Sequence, residues 1–270
     1  SSTPHFRSGS FSFARSIGVW TDELVDDHAL ERPDLLAGRT PRWLNMSRLG
    51  ETLTTAVDPP IRSIMVWNCN PMVITPNTEL IRQGLLRDDL FTVVHEQFIT
   101  ATARYADIVL PATTQIEAVD VVPSWGHLWL GWNEAAIPPR GEAVSNSELH
   151  RRLAAAMGFT EPELYEDDMS ALRNGMPTVD VDRLRTEGWV KMPYPDDGRP
   201  FGDGVFPTAS GKVELHSTSL VALGQPALPT YVPSSEGHRS SLAGRYPLQL
   251  LTNKQHQRFL NGSYAHLPRH

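Results

Sequence analysis

Polar side chains follow two apolar runs of this 270-residue sequence, in places where a ligand-binding group would be expected. Segment Asn68–Asn70 follows the apolar run 61–67, and the pair His95–Glu96 follows the run 90–94. Asparagine offers a donor and an acceptor to a base edge, and a carboxylate suits ribose hydroxyls or a guanine N1/N2 edge. Ser145–Asn146 begins a predicted helix, whose free N–H groups suit phosphate. Together these groups describe a nucleotide pocket.

Each of these groups also has a purely structural interpretation. The sequence Asn68-Cys69-Asn70-Pro71 is typical of a turn, because asparagine tolerates unusual backbone angles. Asn146 can simply assist a helix cap, and the pair His95–Glu96 can be ordinary surface groups. The residues alone therefore leave a nucleotide site and a set of structural turns both open.

The elements that position these groups are predicted to alternate strand and helix. Runs 61–67, 90–94 and 108–110 read as buried strands, and Thr75-Pro76 is expected to begin the helix between the first two. Strand, helix and strand at this spacing predict a parallel sheet, whose carboxyl ends meet at one edge. A second helix is expected over Ser145–Met157, with a capping box at its start and Gly158 at its end.

The expected fold class is α/β, with a Rossmann-like, mostly parallel sheet and flanking helices. A linker and the start of a β-rich C-terminal domain follow, with strands at Gly211–Ser217 and Pro247–Leu251. The sequence is predicted to divide into four parts. They are an irregular and helical lead-in (1–60), an α/β domain (61–173), a linker with an extended segment (174–244) and the start of the C-terminal domain (245–270).

Composition excludes several function classes. The net charge of −7 and the absence of a basic stripe argue against nucleic-acid binding. The single cysteine, Cys69, excludes a Cys-x-x-Cys metal or cluster site. The sequence has no apolar run of about 18 residues that could span a membrane, and no Gly-rich dinucleotide or P-loop fingerprint. We expect a cytoplasmic location.

Several stretches together resemble the middle of molybdopterin oxidoreductases of the dimethyl sulfoxide reductase family. They are Val66–Pro71, Asp89–Phe98, Thr100–Pro111 with Glu117 following, Pro139–Ala143, Phe206–Leu215 and Pro247–Thr252. The most specific is Ala106-Asp-Ile-Val-Leu-Pro111. The resemblance is strong over 61–158 and moderate over 205–270.

The resemblance implies a bis(molybdopterin guanine dinucleotide) molybdenum cofactor, two-electron or oxygen-atom transfer, an unidentified small-molecule substrate and an electron-transfer partner. Many members also carry an iron–sulfur cluster, which the resemblance implies for an N-terminal region outside this sequence. The residues that fall where the family contacts the cofactor are Asn68, Cys69, Asn70, Pro71, His95, Glu96, Thr100, Asn146, Thr252, Asn253, Lys254, Gln255, Gln257, Arg258 and Asn261.

The sequence departs from the family pattern in ways that matter for function. The family's molybdenum ligand normally precedes the matched region, so no catalytic residue and no metal ligand is assigned here. We expect a fragment of an oxidoreductase that is inactive alone. Two alternatives stay open, namely a free-standing guanine-nucleotide or pterin-binding module and a non-catalytic interaction subunit that uses the tryptophan-rich segment Trp125–Trp132.

Overall fold

The structure is a computed structural model that describes residues 38, 42, 44–123, 129–191, 204–206, 208–228 and 230–251. The chain divides into two compact units, 1–200 and 201–270. Among the described residues, no helix combines the length and the apolar character that a membrane crossing needs.

The described part of the first unit contains six α-helices and six strands, and a single short helix is described in the second unit. The α-helices are α1 (Leu49–Thr55), α2 (Pro71–Ile74), α3 (Thr78–Leu85), α4 (Asn146–Met157), α5 (Asp168–Gly175), α6 (Val181–Glu187) and α7 (Thr218–Ala222). The strands are β1 (Ser63–Trp67), β2 (Phe91–Glu96), β3 (Ile108–Pro111), β4 (Asp120–Pro123), β5 (Trp129–Asn133) and β6 (Trp189–Lys191). Short 3-10 helices cover Met46–Arg48, Ala103–Tyr105, Gln115–Glu117 and Pro162–Tyr165.

The first sheet is parallel, in the order β1-β2-β3. Its central strand β2 is the most buried, because Thr92 and Val94 have no exposed surface and pack between the two neighbours. The predicted parallel sheet with flanking helices is confirmed, and each strand lies within two residues of its predicted bounds. Apolar runs bounded by polar turns were sufficient to locate these strands.

Helices α1 and α3 cross closely because each presents a glycine to the other. A Cβ added at Gly84 would lie 2.5 Å from the Leu53 Cβ atom, and one added at Gly50 would lie 2.8 Å from the Leu80 Cβ atom. The close crossing buries Leu53 and Ile81 in the core that covers one side of the parallel sheet.

The second sheet is antiparallel, in the order β4-β5-β6. Leu130, Met176 and Leu184 form its core and join the strands to helices α5 and α6. The sequence prediction of one mostly parallel sheet missed this second layer. Its third strand, β6, has only three residues and gives no periodic pattern that could be read from the sequence.

The predicted start, at Thr75-Pro76, of the helix between the first two strands is wrong. Thr75 ends the short helix α2, and Asn77 caps α3 by accepting a hydrogen bond from the Leu80 N–H at 3.4 Å. Asn77 has a left-handed backbone with a φ angle of 61°, a conformation that asparagine tolerates better than most residues. Two helices, α2 and α3, therefore lie in the segment where one helix beginning at Thr75-Pro76 was expected.

Helix α4 begins and ends as predicted. The Ser145 hydroxyl accepts from the Glu148 N–H at 3.2 Å, and Gly158 closes the helix with a φ angle of 75°. The Glu148 side chain forms ion pairs with Arg151 and Arg152, so the predicted reciprocal half of the capping box is not its role. A complete capping box occurs instead between Thr114 and Glu117.

Within the described part of the second unit, the predicted strands Gly211–Ser217 and Pro247–Leu251 are not strands. A strand is stabilised by backbone hydrogen bonds to a neighbouring strand. The described residues provide no such neighbour for either segment, so their apolar residues alone do not produce a sheet.

We predict that Gly84→Ala lowers the free energy of unfolding by about 1–3 kcal/mol, because the new methyl group overlaps Leu53. Helix propensity alone would favour alanine over glycine by about 1 kcal/mol, so the sign of the change tests the close crossing. Urea unfolding followed by circular dichroism measures it. The control is Gln83→Ala on the exposed side of the same helix, expected within about 0.5 kcal/mol of the native chain. A Gly84→Ala chain as stable as the native one would contradict the crossing.

Candidate functional site

A chain of hydrogen bonds joins three elements at the carboxyl edge of the parallel sheet. His95 is the last buried residue of β2. Its Nδ1 atom lies 2.9 Å from the Asn146 Oδ1 atom at the start of α4. The Asn146 Nδ2 atom donates to the Asn68 Oδ1 atom, just after β1, at 3.2 Å. The three sequence-predicted sites therefore converge, since parallel pairing sets Trp67 beside His95 in register.

The backbone of Asn68 is in the left-handed region, with a φ angle of 51°. Asparagine is among the few side-chain-bearing residues that adopt this conformation readily. The side chain is exposed and lies at the wall of a cavity. Backbone and side chain thus both favour asparagine at this position.

His95 is the buried end of this hydrogen-bonded chain, with 1% of its surface exposed. Its Nε2 atom has no hydrogen-bond partner among the described residues. A buried ring nitrogen without a partner is uncommon, so among the described residues the Nδ1 contact with Asn146 is the hydrogen bond that holds the ring.

The hydrogen-bonded chain His95–Asn146–Asn68 opens onto a cavity of about 560 Å³, between the carboxyl edge of the first sheet and strand β4. This volume falls within the range of sites for small organic ligands. The described lining is rich in amides and hydroxyls, includes the carboxylate Asp120, and has no lysine or arginine among its described residues. Its residues are Asn68, Gln97, Thr113, Thr114, Gln115, Ala118, Val119, Asp120, Val121, Val122, Asn133, Ser145, Asn146 and Ser147.

Asn70 has a different role from Asn68, although both were predicted to bind a ligand. Its Oδ1 atom accepts from the Thr102 hydroxyl at 2.7 Å and from the Thr102 N–H at 3.2 Å. The same hydroxyl accepts from the Met72 N–H at 3.1 Å. Asn70 therefore fixes the loop that follows β1, and Thr102, which is fully buried, is the residue that anchors it.

The other predicted residues of this region lie around the loop and make local contacts. Cys69 packs beside Val66 and Val94, and burial raises the pKa of its thiol, which keeps it protonated. The Glu96 carboxylate accepts from the Gln97 N–H at 2.8 Å, and the Thr100 hydroxyl accepts from the Ala103 N–H at 3.2 Å.

Pro71 is buried at the start of α2. Four of the predicted residues do not line the cavity, namely Cys69, Pro71, Glu96 and Thr100. The predicted C-terminal set lies outside the described residues, namely Thr252, Asn253, Lys254, Gln255, Gln257, Arg258 and Asn261.

Sequence reasoning missed part of the cavity wall. Gln97 follows β2, and residues 113–115 follow β3 at the same edge of the sheet. The rule that led to Asn68 and His95, a polar residue after a parallel strand, would also have found them. Asp120 and Asn133 lie in the antiparallel sheet and gave no such signal.

Glu117 holds the part of the wall that follows β3. Its carboxylate accepts from the Thr114 hydroxyl at 2.6 Å, from the Thr114 N–H at 2.8 Å and from the Arg140 N–H at 2.9 Å. These hydrogen bonds, those from Thr114 foremost, hold the pKa of Glu117 below its ordinary value. The buried carboxylate thus joins the segment 112–117 to the approach to α4.

The arrangement suits a ligand that is recognised by directed hydrogen bonds. Amide and hydroxyl groups line the wall, and the N-terminus of α4 adds the partial positive charge of a helix of 12 residues. Within the described chain, no three histidine, cysteine, aspartate or glutamate side chains lie together as a metal site would require. The cavity can therefore bind and orient a ligand.

Comparison with known proteins gives a consistent answer. Residues 45–156 match the family model for molybdopterin oxidoreductase. The chain is 41% identical to the probable oxidoreductase YoaE of Bacillus subtilis (strain 168), over 90% of this chain and 35% of that protein. It is 29% identical to the dimethyl sulfoxide reductase DmsA of Escherichia coli (strain K12), over 87% of this chain and 31% of that protein.

A solved structure of acetylene hydratase from Pelobacter acetylenicus is also similar. Its TM-score is 0.64 at 27% identity, covering 76% of this chain and 28% of that one. The chain spans about a third of the length of the curated relatives that it matches.

We predict that the stability conferred by Glu117 is lost in acid. Because its folded pKa lies below the ordinary value of 4.5, the carboxylate contributes full stability above about pH 5 and loses it as the pH falls through the folded pKa. Glu117→Gln cannot titrate, so its melting temperature should fall less than that of the native chain between about pH 5 and pH 3. The assignment would be contradicted if the melting temperatures of the two proteins fell by the same amount across this pH range.

We predict that Thr102→Val destabilises the chain by about 1–3 kcal/mol, although the two side chains have the same shape. The substitution leaves the Met72 N–H without its acceptor and removes the shorter bond to Asn70. Chemical denaturation measures the change. Thr55→Val serves as the control, because Thr55 is exposed and its hydroxyl contacts only its own helix. Equal effects of the two substitutions would show that the buried hydroxyl does not anchor the loop.

Proposed function

Because the chain belongs to the molybdopterin oxidoreductase family, we propose that it forms part of the pocket for the guanine-dinucleotide portion of a bis(molybdopterin guanine dinucleotide) molybdenum cofactor. The observation that supports this most directly is the hydrogen-bonded chain His95–Asn146–Asn68 at the edge of the cavity. In a parallel sheet, this edge is where nucleotides bind.

The residues present fit such a tail. Asn68 and Asn146 offer amide groups to a base or ribose, and Ser145 lies at the helix N-terminus, where a phosphate is favoured. None of the described lining residues is a lysine or arginine, so in this part of the pocket backbone N–H groups and neutral side chains would hold the anion. Glu96 and the C-terminal set Thr252–Asn261 stay proposed contacts on the ground of family resemblance.

The complete enzyme is proposed to be a molybdenum-dependent oxidoreductase. When bound, the molybdenum centre would supply two-electron and oxygen-atom transfer. The part of this chain would be to hold the dinucleotide tail so that the metal end is fixed in place. The small-molecule substrate, the electron-transfer partner and the metal ligand would then be matters for the longer protein.

We expect the 270-residue chain to bind GDP weakly, with a dissociation constant on the order of 0.1–1 mM, because it supplies only part of the pocket. In a ¹H–¹⁵N titration, GDP should shift the side-chain amide resonances of Asn68 and Asn146. Asn146→Ala should weaken binding roughly tenfold. The control is Asn174→Ala, an exposed asparagine that does not line the cavity.

The outcomes separate the alternatives. Pyrophosphate that reproduces all the GDP shifts would reduce the site to anion binding at a helix N-terminus. A submicromolar dissociation constant would favour a free-standing nucleotide-binding module over part of an enzyme. The proposal is wrong if GDP at about 10 mM leaves Asn68 and Asn146 unchanged, since even a weak partial site responds there.

A further inference from the structure

The hydrogen-bonded chain at the cavity has a direction. A side-chain amide has a donating end and an accepting end, so two amides in series must point the same way. The Asn146 Oδ1 atom faces His95, and its Nδ2 atom donates to the Asn68 Oδ1 atom. The Asn68 Nδ2 group is then the end of the chain, at the cavity wall.

The direction is set at the buried end. Because the Asn146 Oδ1 atom can only accept, the hydrogen of their 2.9 Å contact belongs to the His95 Nδ1 atom. If the proton were on Nε2 instead, Nδ1 would accept from Asn146 and both amides would reverse. Asn68 would then present its carbonyl oxygen to the cavity.

Burial favours the first direction. The Nε2 atom has no hydrogen-bond partner among the described residues and lies in a side chain that is 1% exposed. A proton on Nε2 would create a buried N–H group without an acceptor, which is rarer in folded proteins than a buried acceptor without a donor. The protein environment therefore keeps the proton on Nδ1, where Asn146 accepts it.

We infer that His95 is a positioning residue whose ring proton fixes the polarity of the cavity wall, so that Asn68 offers N–H groups to a ligand acceptor. The identity of that ligand rests on the proposed function, whereas the polarity does not. Since none of the described lining residues is a lysine or arginine, the matching group is a carbonyl, ribose or phosphate oxygen bound through the neutral Asn68 donor. A ligand that presents only N–H groups at this point would be rejected.

The first test requires no ligand. In a ¹⁵N-histidine sample of the full chain, protonated and unprotonated ring nitrogens resonate in separate ranges, and loss of signals in His95→Asn assigns residue 95. We expect Nδ1 protonated and Nε2 unprotonated at neutral pH. An unprotonated Nδ1 would overturn the inference. His238→Asn, at an exposed histidine of the second unit, is the matched control and should leave the residue 95 signals in place.

The second test asks whether the proton matters to binding. An asparagine at position 95 retains an N–H donor, so His95→Asn should keep GDP affinity within about threefold, while His95→Leu lowers it roughly tenfold. Equal losses in the two variants would show that packing alone is at work and would overturn a positioning role. Melting curves establish that both variants are folded.

The two proposals fail separately. If the native chain binds no GDP, the nucleotide function is wrong, and the ring-nitrogen spectrum still decides the polarity of the chain. If GDP binds but Nδ1 is unprotonated, the function stands and the role of His95 is wrong.

Discussion

The register of the parallel sheet is the constraint on which the cavity depends. Pairing of Trp67 with His95 places the carboxyl ends of β1 and β2 within one residue of each other, so that Asn68 and His95 can both reach Asn146. A slip of one residue would turn His95 to the opposite face of the sheet, because side chains alternate along a strand. The site is therefore a product of strand pairing before it is a product of any single polar residue.

Two asparagines of one short loop show how position divides the work. Asn70 is turned inward and holds the loop to Thr102, a residue without exposed surface. Asn68 is turned outward and ends the chain of amides at the cavity. Their side chains are identical, and only the backbone conformation of the loop separates an anchor from a contact surface.

Much of this arrangement was predictable from sequence, and the limits have physical causes. Strands β1 to β3 follow from apolar runs, and the caps of α4 follow from Ser145 and Gly158. The convergence of Asn68, His95 and Asn146 follows from their positions at strand ends and at a helix start. The family resemblance is confirmed. The second sheet was missed, because β6 is too short to show a pattern.

Other features were missed because they depend on contacts distant in sequence. The role of Thr102 depends on residues 30 and 32 positions away, which no local pattern indicates. Asp120 and Asn133 reach the cavity only because the antiparallel sheet lies beside it. Strand segments predicted in the second unit had apolar character but no described neighbour to pair with.

The left-handed backbone of Asn68 restricts how this wall can change over evolution. Residues that adopt a φ angle of 51° at low cost are essentially glycine, asparagine and aspartate. Serine, threonine and glutamine have similar hydrogen-bonding groups, but the positive φ angle disfavours them at this position. The hydrogen-bonding character of the position can therefore shift only in whole steps, from amide to carboxylate or to no side chain at all.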